Sequence, residues 1–239
     1  MKSLKKVGFA LAVTVMLSSI PVWADSDNSG GGNQLMQSQT HWYQKAAETV
    51  GPVDGIATEK GTILTLQPGS SLYMEGGSTL HMYQINAHSL KGSAVVKGSA
   101  TDLLKALKAG KVGKMSLVVP LATFKSRESG LDDNAYKALK AKDNPEIRFD
   151  LTKEKLTTGD TDGSYLMTAT GTLTIAGEAV PVTLSATASF KDNQVELKGV
   201  QKLKMSDFKV TPPSISVIVT SITCTDDITV NYDVIFAAK

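Results

Sequence analysis

The feature that most constrains the fold is a two-residue alternation of apolar and polar side chains in the C-terminal half of the chain. Within residues 179–190, one parity carries an apolar set: Val180, Val182, Leu184, Ala186, Ala188 and Phe190. Residues 228–236 repeat the pattern with Ile228, Val230, Tyr232, Val234 and Phe236. Successive side chains of a strand point to opposite faces, so the pattern predicts antiparallel strands with one buried and one solvated face.

Two segments follow a helical spacing instead. Residues 101–110 offer Thr101 or Asp102 as a cap, a stripe of leucines and a closing Gly110, which predicts a short helix. A second predicted helix lies in residues 129–142, where one face is apolar: Leu131, Ala135, Ala138 and Leu139.

The charges of the second helix suggest a cluster of functional groups, but they also match a helix dipole. Asp132 and Asp133 fall in the predicted first turn, and Lys140 and Lys142 fall in the last. We therefore interpret them as solvated charges that stabilise the helix ends. Short helices inserted into a long antiparallel meander predict a mainly β fold, a closed barrel of about eight strands with one or two short helices. A barrel of that size can hold one small ligand.

The first residues have the pattern of an export signal. Three lysines precede an apolar run that is far too short to span a bilayer, and Val22 and Ala24 place small side chains at a cleavage site. We expect a signal peptide at residues 1–24, a flexible or irregular lead-in at 25–60 and the barrel domain at 61–239. The expected location is the periplasm or the exterior, and no integral membrane span is predicted.

Removing the leader also removes the apparent basicity of the chain. Lys+Arg falls from 25 to 22 against 23 Asp+Glu, so the formal net charge becomes −1. Nucleic-acid binding needs a clustered excess of positive charge, so no nucleic-acid partner is expected.

Residues able to perform catalysis or bind metal do not fall into a recognisable motif. His81 and His88 have opposite parity on one predicted strand, and His41 lies in the lead-in. The single cysteine, Cys224, lies among strand-forming residues, without an adjacent His or Lys to favour a reactive thiolate. Neither a nucleophile elbow nor a phosphate-binding loop occurs. We expect no metal, no cofactor and no enzymatic activity.

Several ordered segments of the chain together resemble the YceI-like family. Residues 77–94 are similar to the family's first hairpin, and residues 116–151 to its strand, inserted helix and following strand. Residues 171–184 are similar to its Gly-x-Leu-Thr-Ile-x-Gly hairpin, and residues 204–214 and 228–238 complete the match. The resemblance implies an exported, lipocalin-like barrel associated with the binding of polyisoprenoids and other lipids.

The apolar parity of the strands supplies the candidate ligand-binding residues, which would line the inside of the barrel: Leu173, Ile175, Val182, Leu184, Ala186, Val230 and Tyr232. Alternation gives each strand an apolar face but leaves open which face lines a cavity. Lys125 and Arg127 are candidates for contact with a head group at the barrel mouth, or else belong to a solvated loop.

Two functions remain open from the sequence. The first is a binding protein that holds an amphiphilic lipid, a polyisoprenoid or acyl chain, inside the barrel. The alternative is an envelope stress or interaction protein whose barrel is packed and which acts through its surface. The volume inside the barrel distinguishes them, because a filled core leaves no room for a ligand.

The export signal gives the first testable prediction. Protein from the exported fraction should begin at Asp25, because the small side chains of Val22 and Ala24 stand before that bond. N-terminal sequencing that finds Met1 on a membrane-embedded species would contradict it.

Overall fold

The computed structural model of the protein describes residues 46–56, 61–97, 102–159, 163–191, 193–217 and 220–238. The predicted signal peptide and the first part of the predicted lead-in lie outside the described residues, as does His41. None of the helices in the described ranges has the length and apolar composition that crossing a bilayer requires.

Thirteen strands and two α-helices occur in these ranges, together with short 3-10 turns at Leu121–Thr123 and Met205–Phe208. The strands are β1 Thr49–Gly51, β2 Thr62–Leu66, β3 Ser71–Ser78, β4 Met82–Ala87, β5 Ser89–Val96, β6 Val112–Pro120, β7 Phe124–Lys125, β8 Glu146–Thr158, β9 Ser164–Ile175, β10 Glu178–Lys191, β11 Gln194–Lys204, β12 Ser214–Val217 and β13 Thr220–Ala238. The helices are α1 Leu103–Lys108 and α2 Ser129–Ala138.

Eight of the strands close into a ring. The order is β2, β5, β6, β8, β9, β10, β11 and β13, and every pairing in it is antiparallel. The last strand returns to the first, where Phe236 pairs with Leu66 and Ala238 with Leu64. The predicted mainly β barrel with two short helices is therefore confirmed.

The apolar residues of the alternating pattern face the interior of the barrel. In β10, Ala186 and Ala188 are buried, whereas Thr183, Ser185 and Thr187 between and beside them are exposed. Full burial of a medium-sized apolar side chain contributes about 1.5–3 kcal/mol, so the shared inward parity of the strands is a major source of stability.

Strands β2 to β5 form one long hairpin that bends in the middle. The paired strands β2 and β5 belong to the ring, and the paired strands β3 and β4 continue the hairpin beyond the ring. At the bend, the hydroxyl of Ser70, which is fully buried, donates to the Gln67 carbonyl (2.8 Å) and accepts from the Ile235 N–H (3.0 Å). β13 is long enough to pair with both β2 and β3.

Part of the predicted lead-in packs on the outside of the barrel. β1 runs parallel to β5, and the Val53 N–H donates to the hydroxyl of Ser93 (2.9 Å). Val53 and Ile56 form a small buried cluster with Val95 and Val118, which point outward from β5 and β6. Residues 53–56 therefore cover an apolar strip of the barrel wall.

Helix α1 agrees with its prediction. The carboxylate of Asp102 caps it by accepting from the Lys105 N–H (2.9 Å), and Gly110 has a positive φ of 61° just after its end. Leu103 and Leu107 are buried against the barrel core.

Helix α2 differs from its prediction in two respects. It ends at Ala138, so Lys140 and Lys142 lie beyond it, and Lys137 is the basic residue of its last turn. Asp132 is buried (6% exposed), so its description as a solvated charge was wrong, whereas Asp133 is exposed. The predicted apolar face does turn to the interior and contacts the core.

A tight turn joins β9 to β10. Ala176 and Gly177 both have positive φ values, 53° and 83°, as a tight two-residue hairpin requires. The preceding strand, β8, also pairs with β9 in antiparallel fashion.

A glycine makes room for a tyrosine inside the barrel. Gly199 pairs with Tyr232, and a Cβ at Gly199 would overlap the Tyr232 ring and lie 2.6 Å from the Ser185 carbonyl oxygen. The Tyr232 hydroxyl donates to that same carbonyl (2.9 Å). The Tyr232 side chain therefore crosses β11 at Gly199, where only glycine leaves room for its ring.

This contact predicts that Gly199→Ala destabilises the protein by about 1–3 kcal/mol, because the added methyl group overpacks the wall and displaces Tyr232. Gly51→Ala is the matched control, since a Cβ at Gly51 meets no atom within 4 Å. Denaturant unfolding that finds equal stabilities for the two variants would contradict the packing described.

Candidate functional site

The barrel contains an apolar cavity of about 190 Å³. It lies in the half of the barrel nearer to α2, the Met205–Phe208 turn and the base of β12. Towards the other end its lining stops at Met167, Leu197 and Val234. The next inward residues, including Val195 and Phe236, are buried in the packed core. One half of the barrel is therefore filled and the other is hollow.

Six of the eight ring strands, together with β3, β4 and helix α2, contribute to the cavity wall. The helix contributes its predicted apolar face, Leu131, Ala135, Ala138 and Leu139. The strands contribute Leu72, Met74, Tyr83, Ile85, Met115, Leu117, Val119, Ile147, Phe149, Leu151, Met167, Ala169, Leu173, Ile175, Leu184, Ala186, Leu197, Gln201, Leu203, Ile228, Val230, Tyr232 and Val234.

The cavity has little polar character and no charge among the described residues that line it. Its polar side chains are Gln201, Cys224 and two tyrosines. Burial raises the pKa of Tyr232 to about 12. Burial, reinforced by Cys224, also raises the pKa of Tyr83, so both phenols are neutral at physiological pH. The described lining is therefore suited to an apolar chain.

The structure brings together six of the seven predicted lining residues. Leu173, Ile175, Leu184, Ala186, Val230 and Tyr232 all face the cavity. Val182 has the same parity and is half-buried, but it is not part of the lining. Its cross-strand partner is Gly171, and the ring of Phe149 lies over that glycine and lines the cavity there.

Other lining residues were missing from the sequence-based set although their pattern was visible. Phe149 and Leu151 lie on a strand with a clear two-residue period, and the face of α2 was recognised as apolar. Leu72 and Met74 also alternate with polar residues, but Gly76 and Gly77 interrupt the signal. Nothing in the spacing alone could place the helix face and these strands around one cavity.

The two predicted head-group residues lie outside the cavity lining. Lys125 is held against α2, with its Nζ 3.7 Å from the Asp132 carboxylate and 4.8 Å from the centroid of the Tyr136 ring. Its contact with Tyr136, and then the carboxylates of Asp132 and Asp133, raise the pKa of Lys125. Arg127 is exposed in the segment before α2. The geometry gives Lys125 a role in attaching the helix, and a role for either residue in head-group contact stays a prediction.

Asp132 organises the same region. Its carboxylate accepts from the Ser126 N–H (2.6 Å) and faces Lys125, so the loop before α2 is fixed to the helix. The Tyr136 hydroxyl adds a bond to the Phe124 carbonyl (3.0 Å). These contacts hold Leu131 and Ala135 of the helix over the cavity.

The histidines that the structure describes are apart from each other. His81 lies 3.8 Å from Glu128 and His88 lies 3.2 Å from Glu48. Over the described ranges, no group of three His, Cys, Asp or Glu side chains is arranged to hold a metal ion.

An eight-stranded barrel with an apolar interior cavity defines a class of lipocalin-like proteins, and sequence comparison identifies the family. A model of the YceI-like domain matches residues 75–236, which is more than half of the chain. The protein belongs to the YceI-like family. Among curated proteins, none is significantly similar in sequence.

Solved structures share the fold. The crystal structure of BcnA from Burkholderia cenocepacia is 18% identical, with a TM-score of 0.53, covering 70% of this chain and 95% of its own. A polyisoprenoid binding domain from Saccharophagus degradans, implicated in plant cell wall breakdown, is 10% identical with a TM-score of 0.55, covering 74% of this chain and 98% of its own.

The buried carboxylate gives a prediction for this region. Asp132→Asn should destabilise the protein by about 1–3 kcal/mol, because it weakens a buried charge-assisted hydrogen bond and the contact with Lys125. Asp133→Asn, at the exposed neighbouring position, should change stability by about 0.5 kcal/mol or less. Thermal melts in which the two variants are equally stable would show that Asp132 does not anchor α2.

Proposed function

We propose that the protein is an exported binding protein, without enzymatic activity, that holds one amphiphilic lipid with its isoprenoid or acyl tail in the barrel cavity. The observation that supports this most is the cavity itself, about 190 Å³ in volume and lined without a charged side chain among the described residues. A packed interior, which the alternative function requires, does not agree with this volume.

The physical basis of binding would be apolar burial. Removing about 500 Å² of tail surface from water contributes roughly 12 kcal/mol at about 25 cal/mol per Å². An association cost of about 4 kcal/mol leaves roughly 8 kcal/mol, which corresponds to micromolar affinity. No specific polar chemistry is needed for such a ligand.

Two further observations support the kind of ligand and the compartment. The Saccharophagus degradans domain that shares the fold is described as polyisoprenoid binding, and the expected signal peptide supports export. The neutral lining favours a ligand whose tail, rather than its head group, enters the barrel.

Tail length provides the test. Lipid-stripped protein should bind single-chain amphiphiles at a stoichiometry near one to one, with a negative heat-capacity change. The affinity should rise with tail length, by up to about 0.8 kcal/mol per buried methylene, until the cavity is full. Calorimetry that finds no binding at any tail length would overturn the proposal.

A matched pair of variants on β10 locates the binding inside the barrel. Ala186→Trp places an indole in the cavity and should abolish uptake, whereas Thr187→Trp places it on the exposed face and should leave uptake unchanged. Equal binding by the two variants would move the ligand out of the cavity. Circular dichroism melts of both variants report whether each remains folded.

A further inference from the structure

Large apolar side chains are exposed at the end of the barrel that contains the cavity. Leu80 is 66% exposed, Met82 68% and Ile215 45%. Leu80 and Met82 lie at the tip of the β3–β4 hairpin, and Ile215 lies on β12. Monomeric proteins seldom concentrate such side chains at one place unless the surface contacts something.

The two hairpins that carry these residues are joined to each other. The Thr79 N–H donates to the Thr223 carbonyl (3.0 Å), and the Thr223 N–H donates to the Thr79 hydroxyl (3.2 Å). Ile215 pairs with Ile222, the neighbour of Thr223. We call the described residues 76–82, 210–216 and 221–225 the lip.

The lip contains no Asp, Glu, Lys or Arg, in a chain that is 20% charged. The acidic residues that follow it are engaged elsewhere: Asp226 accepts from the Ser206 N–H (2.8 Å), and Asp227 pairs with Lys204 (2.8 Å). Apart from Lys191, the outward positions of β9 and β10 are also uncharged, but they are mostly threonine and serine. The lip differs from them because its exposed side chains are large and apolar.

The lip is continuous with the cavity wall. Met82 directly precedes Tyr83, a lining residue, and Ile215 follows the lining residue Pro213 by two positions. The Cys224 N–H donates to the Pro213 carbonyl (2.9 Å), so the base of the β12–β13 hairpin forms part of the cavity wall. The two hairpins that carry the exposed apolar side chains therefore also supply lining residues of the cavity.

We infer that the lip docks on the surface of a lipid bilayer and that the ligand passes between bilayer and cavity along it. The inference deepens the proposed function, on which it rests for the nature of the cargo. An uncharged surface with protruding Leu, Met and Ile side chains fits the boundary between head groups and acyl chains, where charged side chains are costly. Because the lip contains no Lys or Arg, docking does not require anionic lipid and depends little on salt.

The experiment is flotation of the full mature chain with vesicles of phosphatidylcholine, with and without added phosphatidylglycerol. The wild-type protein should float with both, and salt should change its partitioning little. Leu80→Lys combined with Met82→Lys should lower the vesicle-bound fraction at least about tenfold, because each lost apolar insertion costs about that factor or more.

Leu166→Lys combined with Val200→Lys is the matched control. Both residues are exposed, at 46% and 58%, and lie on the outer wall of the barrel away from the lip. The control adds the same charge, so it should float within about twofold of the wild type. Gel filtration of all three proteins without lipid tests whether the lip instead covers a second copy of the chain.

The outcomes separate the two claims. The docking inference is overturned if the wild type does not float, if its flotation needs anionic lipid, or if the two double variants float equally. So does a wild-type dimer that only the lip variant disrupts. If the soluble amphiphile still binds by calorimetry in those cases, the proposed function stands. Flotation that depends on the lip without amphiphile uptake supports docking and refutes the cavity as the ligand site.

Discussion

The pairing of the last strand with the first ring strand is the interaction on which the rest of the structure depends. β13 meets β2 through only three paired positions, Leu64 to Leu66 against Phe236 to Ala238, and all of these residues except Ala238 are buried. Phe236 reaches over Gly92 of β5, where a Cβ would come within 3.1 Å of its ring. Because this contact joins residues far apart in sequence, forming it has a large loop-closure entropy cost. The barrel interior is enclosed only after β13 has paired with β2.

The interior of the closed barrel is packed differently at its two ends. Near the closing contact, the inward side chains pack against α1 and one another, and the core is filled. Towards α2 the same parity of the same strands surrounds an open volume, where the rings of Tyr232 and Phe149 lie against glycines and the helix forms part of the wall. One half of the domain is therefore packed, and the other half leaves an apolar volume open.

The sequence predicted the barrel and most of the cavity wall because period-two alternation directly reports which side chains share a face. It did not report which neighbouring side chains occupy an inward position, so Val182 was assigned to the lining with Leu184, although the ring of Phe149 lies over Gly171, the cross-strand partner of Val182. Asp132 was misassigned for a related reason. Its burial depends on Lys125 and on the Ser126 N–H, and the folding of a preceding loop against a helix leaves no periodic signal.

The central claim is that the hollow half of the barrel holds one lipid tail. Native mass spectrometry of the protein, purified from its native source without detergent exchange, tests this claim most directly. The account predicts a complex heavier than the chain by a single amphiphile, released on denaturation and identified as an isoprenoid or acyl lipid in the extract. It also predicts that Ala186→Trp carries no such mass. A protein that shows only the mass of the chain, before and after incubation with amphiphiles, would contradict it.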